Sequence, residues 1–101
     1  MKHIIFIICA LSIIPTASAA DDWREKCKVI QDGAETAMRA RQRGMDMSRV
    51  MGIVSGSELA ESVVITAYDR PKYIGAAAKQ DSINRFKNEY YLECAKLLRN
   101  K

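Results

Sequence analysis

Histidine is almost absent from this chain: the only one is His3, within a segment that has the features of an export signal. The remainder therefore lacks the commonest general base and the Ser/His and Cys/His nucleophile arrangements. Neither a glycine-rich phosphate loop nor a metal-ligand cluster is present. Glu58 and Glu61 are three residues apart, a spacing at which two carboxylates on one helix face could share a proton or a metal. The same spacing is routine on a solvated helix surface. We expect a non-catalytic protein without metal or cofactor.

A long hydrophobic run is missing as well. The longest, Ile4–Ile14, has about 11 residues, whereas a bilayer-spanning helix needs roughly 20. It follows a charged start and precedes small residues at 16–20, as in a secretory signal. We predict that residues 1–20 are a signal peptide cleaved after Ala19 or Ala20. The sequence thus indicates a periplasmic protein without stable membrane insertion.

An excess of one charge is also absent after the signal. Residues 21–101 contain 15 basic and 12 acidic side chains. This balance is typical of a soluble surface, whereas nucleic-acid-binding proteins concentrate more positive charge on one face. We predict a single domain at 21–101 and a protein partner rather than nucleic acid.

Only two cysteines, Cys27 and Cys94, follow the predicted signal, and they lie near the two ends of the domain. A disulfide between them would stabilise a small domain by about 4 kcal/mol in the chain-entropy model. An intermolecular bridge is the alternative. Zinc binding is disfavoured because two thiolates provide half of a tetrahedral site.

The hydrophobic pattern is helical almost throughout and predicts an all-α bundle of about four helices. We expect the first helix to begin at Asp21 or Asp22 and to end at Gly44, because glycine is favoured just after a helix. A short second helix has Asp46 as its predicted N-cap. The predicted buried stripe of the first helix comprises Trp23, Cys27, Ile30, Ala34 and Ala37.

Ser55 and Glu58 have the spacing of a capping box, which predicts the start of the third helix, and this helix ends at about Asp69, before Pro71. Apolar residues occupy most of its circumference, which is typical of the most enclosed helix of a bundle. The fourth would run from about Ala76 to Arg99. Its predicted buried stripe comprises Ile83, Phe86, Tyr90, Cys94 and Leu97. A Cys27–Cys94 disulfide requires the first and last helices to pack antiparallel.

Arg41 is the most unusual candidate site residue. It lies 18 residues after Trp23 and therefore projects from the apolar stripe of the first helix. A charge at that position is costly unless it is paired. It could form an ion pair with Glu58, Glu61 or Asp69, bind backbone carbonyls, or grip an anionic group of a partner.

Other polar and aromatic residues accompany Arg41 in the predicted partner-binding surface. Arg39 and Arg43 are in the last turns of the first helix, where cations also complement the helix dipole. Tyrosine is enriched at protein interfaces because it combines apolar area with a hydroxyl group. The predicted partner-binding residues are Arg39, Arg41, Gln42, Arg43, Tyr73 and Tyr91.

Three segments carry a resemblance: Ala-Arg-Gln-Arg-Gly at 40–44, Ala-Tyr-Asp-Arg-Pro at 67–71, and Phe86 with the residues at 88–94. Together they resemble a group of short exported proteins of Gram-negative bacteria and their phages. The resemblance implies a periplasmic location and a first-to-last disulfide, and it implies no activity. The layout is also similar to that of small periplasmic acid-stress chaperones, without a shared motif.

We therefore expect a small periplasmic protein that binds and modulates another envelope or phage-related protein. An acid-stress chaperone is one alternative, and a small-ligand carrier or minor enzyme is another. A homodimer through the apolar faces of Ala76–Ala78 and Met45–Met51 is a further alternative. Changing Arg41 or Tyr73 should remove a specific partner if these residues bind it.

Overall fold

A computed structural model describes residues 22–100, which form four α-helices and contain no strand. The all-α prediction is therefore confirmed for this part of the chain. The predicted signal peptide, residues 1–20, lies outside it. The helices are α1 (Asp22–Arg43), α2 (Met47–Ile53), α3 (Glu58–Tyr68) and α4 (Ala76–Leu98).

The two long helices, α1 and α4, pack side by side in opposite directions. Near the start of α1, Cys27 forms a disulfide with Cys94, and their Cα atoms are 5.5 Å apart. At the other end of α1, Lys79 donates a hydrogen bond from Nζ to the carbonyl oxygen of Gln42, at 2.7 Å. The predicted antiparallel pairing and its intramolecular disulfide are confirmed.

Helix α3 runs parallel to α1 and ends beside the end of α1. The Tyr68 hydroxyl donates to the carbonyl oxygen of Met45, just beyond α1, at 2.8 Å. Burial raises the pKa of this hydroxyl. With 11 residues against the 22 of α1, α3 is too short to cover the whole of its neighbour. The N-terminal part of α1 and the C-terminal part of α4 therefore form a two-helix arm.

The hydrophobic core lies where α3 covers the α1 and α4 pair. Phe86 and Met38 are among its largest fully buried side chains, and the rings of Phe86 and Tyr90 are 5.0 Å apart. The buried core residues are Ala34, Ala37, Met38, Ala40, Val50, Val63, Val64, Ala67, Ile83 and Phe86. In α1 this core begins at Ala34, so the arm lies outside it.

Two burial predictions are wrong, and both follow from the short length and lateral position of α3. Leu97, predicted to be buried, is 68% exposed, because the arm has no third helix to cover it. Helix α3, predicted to be the most enclosed, exposes 55% of Leu59 and 51% of Ile65. It buries Val63, Val64 and Ala67 and leaves its other sides open.

The predicted end of α1 is confirmed at Gly44, whose φ of 78° suits glycine. The Gly44 amide donates to the carbonyl oxygen of Arg41 at 3.0 Å, and the Met45 amide donates to that of Ala40 at 3.1 Å. This pair of bonds is a Schellman motif, which satisfies two terminal carbonyls and reverses the chain direction.

The starts of α2 and α3 show one confirmed and one incorrect prediction. Asp46 is the N-cap of α2. The capping box predicted at Ser55 and Glu58 is wrong, because Ser57 caps α3 and its hydroxyl accepts a bond from the Ala60 amide at 3.2 Å.

Between residues 22 and 100, no helix has both the length and the apolarity needed to cross a membrane.

Candidate functional site

Arg41 connects the end of α1 to the segment between α3 and α4. Its Nε donates to the carbonyl oxygen of Arg70 at 3.0 Å, and its guanidinium carbon lies 5.5 Å from the centroid of the Tyr68 ring. No acidic side chain of residues 22–100 forms an ion pair with it. Of the contacts predicted for Arg41, the structure therefore shows a hydrogen bond to a backbone carbonyl and no ion pair among the described residues.

Gln42 is buried, with only 2% of its surface exposed. Its Nε2 donates to the Pro71 carbonyl at 2.9 Å, while its Oε1 accepts from the Tyr73 amide at 2.9 Å. Both ends of the side-chain amide thus hold the segment that enters α4. The structure thus places Gln42, one of the predicted partner-binding residues, in contacts within the protein, with its side chain buried.

Replacing Gln42 by leucine should destabilise the fold by about 1–3 kcal/mol, because the part-buried carbonyl of residue 71 and amide of residue 73 would lose their side-chain partner. Urea unfolding followed by circular dichroism measures this loss. Gln80→Leu is the control, since Gln80 is exposed on α4 and should change stability by no more than about 0.5 kcal/mol. Equal effects of the two substitutions would contradict the structural role of Gln42.

The remaining predicted site residues do not form one surface with Arg41. Tyr73 is half-buried beside Gln42, and Tyr91 is half-buried on α4. Arg39 and Arg43 instead lie along a groove formed by α1, α2 and α3. Of the six predicted partner-binding residues, only Arg39 and Arg43 therefore line this groove.

This apolar groove has a volume of about 630 Å³ and is open to solvent along one side. The large aliphatic side chains of Val29, Ile53 and Leu59 line it, although they are 71%, 72% and 55% exposed. Val63 and Val64 extend the apolar lining toward the core. The groove is thus a surface continuation of the core, left open beside the short helix α3.

Small residues on α1 provide the space for the groove. Gly33, Ala37 and Ala40 recur at spacings of four and three residues, so they lie along one side of the helix and line the groove. A Cβ atom added at Gly33 would have no neighbouring atom within 4 Å. A larger side chain at this position would therefore extend into open space within the groove.

Three charged residues line the groove, and two of them are paired. Asp32 accepts a bond from Lys28 at 2.7 Å, and Arg39 donates to Glu35 at 2.6 Å. This bond to Arg39 is the main reason that the pKa of Glu35 is lowered. The Arg43 side chain is exposed and forms no hydrogen bond or ion pair within the described part of the chain. Arg43 is therefore the groove charge available to a partner.

The aliphatic residues of the groove, Val29, Ile53 and Leu59, were not predicted as site residues from the sequence. Their signal was the apolar character all around α3, including Leu59, which we interpreted as burial. The same pattern also occurs where apolar residues are exposed at an interaction surface. Gly33 gave a weaker signal, because a glycine within a helix is costly and often reflects a packing or functional need.

Within residues 22–100, no group of three or more histidine, cysteine, aspartate or glutamate side chains is placed to hold a metal ion. The comparisons with family models, curated proteins and solved structures find no match to this chain.

Proposed function

We propose that this chain is a small, non-catalytic periplasmic protein that binds and modulates another envelope or phage-related protein through the apolar groove. The observation that carries this proposal is the exposure of Val29, Ile53 and Leu59 around one groove. Exposed apolar surface costs about 25 cal/mol per Å² relative to its burial. A contiguous patch of this kind commonly marks an interaction site.

The groove explains this exposure better than ordinary surface variation does. Single exposed aliphatic residues are common and need no explanation. Here three of them, from α1, α2 and α3, converge on one concave surface that continues into the core. A partner covering the groove would remove all three from water at once, which supports protein binding as the function.

A substitution that fills the groove should abolish binding of the partner while the fold is kept. We expect Gly33→Leu to do this, because its side chain enters open space and because leucine favours a helix by roughly 1 kcal/mol over glycine. The measurement is a crosslinking pull-down from periplasm with the disulfide-bonded protein as bait. Bound proteins are identified by mass spectrometry.

Gly52→Leu is the matched control for this pull-down. Gly52 is an exposed glycine within α2, it has no atom within 4 Å of an added Cβ, and it does not line the groove. A partner retained by Gly52→Leu and lost from Gly33→Leu supports the proposal. A partner retained by both variants would place its binding elsewhere.

An acid-stress chaperone is the second candidate, and two carboxylates favour it. Glu35 joins α1 to Lys87 of α4 at 3.4 Å, while Glu89 of α4 joins Arg70 at 2.8 Å. The pKa of Glu35 is lowered mainly by its hydrogen bond from Arg39. The pKa of Glu89 is lowered mainly by its hydrogen bond from Arg70. Protonation of these groups in acid would weaken contacts between elements and favour exposure of apolar helix faces.

The sign of this pH dependence follows from the lowered pKa values. The stabilisation is fully present above the ordinary glutamate pKa of 4.5 and is lost as the pH falls through the lower folded-state values. We expect the free energy of unfolding to decrease in this window, and less steeply in a Glu35→Gln/Glu89→Gln variant. Urea unfolding at a series of pH values measures both slopes.

Identical slopes in the two proteins would contradict a role for these carboxylates in acid sensitivity. The chaperone candidate also requires that acidified protein prevents the aggregation of an unfolded client. Absence of that protection at a pH where both carboxyl groups are protonated would eliminate this candidate and leave the proposed specific binding unaffected.

A further inference from the structure

We infer that the occupant of the apolar groove is an amphipathic α-helix of the partner protein, with an acidic residue at the end that lies beside Arg43. This inference rests on the proposed function and adds the chemical class of the bound segment. Three features of the groove support it: its open side, its length along α1 and its single available charge.

The open side of the groove favours an occupant with two different faces. An occupant lying in it contacts aliphatic side chains on one side and water on the other. An amphipathic helix has an apolar and a polar face, so it matches both environments. An acyl chain is apolar all around, and binding sites for such ligands usually enclose most of the ligand surface.

The length of the groove suits several turns of helix. Its lining residues on α1 extend from Val29 to Arg43, which corresponds to about 21 Å at 1.5 Å per residue. A helix of about 14 residues covers that distance. Gly33 on this side of α1 is exposed and has open space around an added Cβ atom, so the backbone of another helix can approach this part of α1 closely.

Charge determines which end of the bound helix carries an acidic residue. Asp32 and Arg39 already have partners within the chain, whereas Arg43 has none among the described residues. A glutamate or aspartate of the bound protein would form an ion pair with Arg43, whereas a lysine at the same place would be repelled. This exposed pair contributes selectivity more than affinity.

Defined peptides test this inference without the natural partner. The probe is a fluorescein-labelled, alanine-rich helical peptide with leucines along one face and glutamates at both ends. A second peptide carries lysines at both ends, and a third scrambles the leucines of the first. Fluorescence anisotropy measures their binding to the disulfide-bonded protein and to its Gly33→Leu, Gly52→Leu and Arg43→Glu variants.

We expect the glutamate-ended peptide to bind about threefold to tenfold more tightly than the lysine-ended one, as suits an exposed charge pair. The scrambled peptide should not bind. Gly33→Leu should weaken binding at least about tenfold, which is the effect of losing 1.4 kcal/mol, and Gly52→Leu should leave it unchanged. Arg43→Glu should reverse the preference between the two charged peptides.

Several outcomes would overturn the inference. Equal binding of the scrambled peptide, or unchanged binding to Gly33→Leu, would exclude a helix in the groove. Palmitate binding that is blocked by Gly33→Leu, without binding of any peptide, would assign the groove to an acyl ligand. A dimer that Gly33→Leu converts to a monomer in sedimentation experiments would assign it to a second copy of this chain.

These results remain distinguishable from failure of the proposed function. If the peptides fail to bind but Gly33→Leu still loses a protein in the pull-down, the partner uses a segment that is not an amphipathic helix. If the peptides fail and no protein depends on Gly33, both the inference and the proposed function are wrong.

Discussion

Removing the Cys27–Cys94 disulfide is expected to lower the free energy of unfolding by about 4 kcal/mol in the chain-entropy model. The two cysteines are separated by 67 positions, so the crosslink closes most of the described chain into one loop. Without it the unfolded chain gains conformational freedom. A domain of about 80 residues has a small core and depends strongly on such a crosslink.

The structure also indicates where this loss is greatest. The disulfide joins α1 to α4 in the two-helix arm, which lies beyond the core residues that begin at Ala34 in α1. Because the arm lacks a third helix, we expect its amides to lose hydrogen-exchange protection before those around Phe86. The reduced protein would then unfold locally at the arm before it unfolds globally.

Urea unfolding with and without a reductant measures the contribution of the disulfide. A Cys27→Ala/Cys94→Ala variant should match the reduced protein to within about 1 kcal/mol, apart from the cost of truncating two buried side chains. The reductant itself should not affect this variant. A stability loss below about 1 kcal/mol in the reduced protein would contradict the expected role of the crosslink.

Phe86→Ala is the second substitution with a large expected effect, a loss of about 3–5 kcal/mol. The Phe86 side chain is fully buried in the core, and it lies 5.0 Å from the Tyr90 ring. The Arg70 guanidinium carbon lies 5.1 Å from its ring centroid. Truncation would leave a cavity at the centre of the three-helix region.

Leu97→Ala provides the comparison for Phe86→Ala. Both residues belong to α4, and the sequence pattern predicted that both are buried, but Leu97 is 68% exposed. We expect its truncation to change the free energy of unfolding by no more than about 0.5 kcal/mol. Urea unfolding of both variants measures the difference. Similar losses would mean that the arm is packed as tightly as the core.

Local sequence signals predicted much of the fold. Gly44 marked the end of α1, Asp46 marked the start of α2, and Pro71 marked the end of α3, which the structure places at Tyr68. Each of these signals depends on backbone geometry or capping within a few residues. The two cysteines then determined how the long helices pair, because only one intramolecular pairing exists.

Packing between helices was less predictable, because periodicity identifies an apolar face without identifying its neighbour. The stripe on α4 continues to Leu97, but α3 is too short to reach the arm. Leu59 and Ile65 are apolar and exposed for a related reason, since α3 packs along one side of α1. The short length of α3 therefore decided the exposure of Leu97, and its lateral position decided the exposure of Leu59 and Ile65.

The candidate site was predictable only in part for a similar reason. Arg39 and Arg43 were identified from sequence and do line the groove. Gln42, adjacent to Arg43, is buried because the carbonyl of Pro71 and the amide of Tyr73 bind its side chain. Those partners are 29 and 31 residues away, and no local pattern reveals such a contact.

The most direct measurement of groove binding is site-specific photo-crosslinking in the periplasm, with benzoylphenylalanine at Ile53 or at Ile74. Both isoleucines are highly exposed, at 72% and 96%, but only Ile53 lines the groove. We predict a discrete protein adduct from position 53, lost on adding Gly33→Leu, and none from position 74. Adducts of equal yield from both positions, or an adduct insensitive to Gly33→Leu, would contradict binding through the groove.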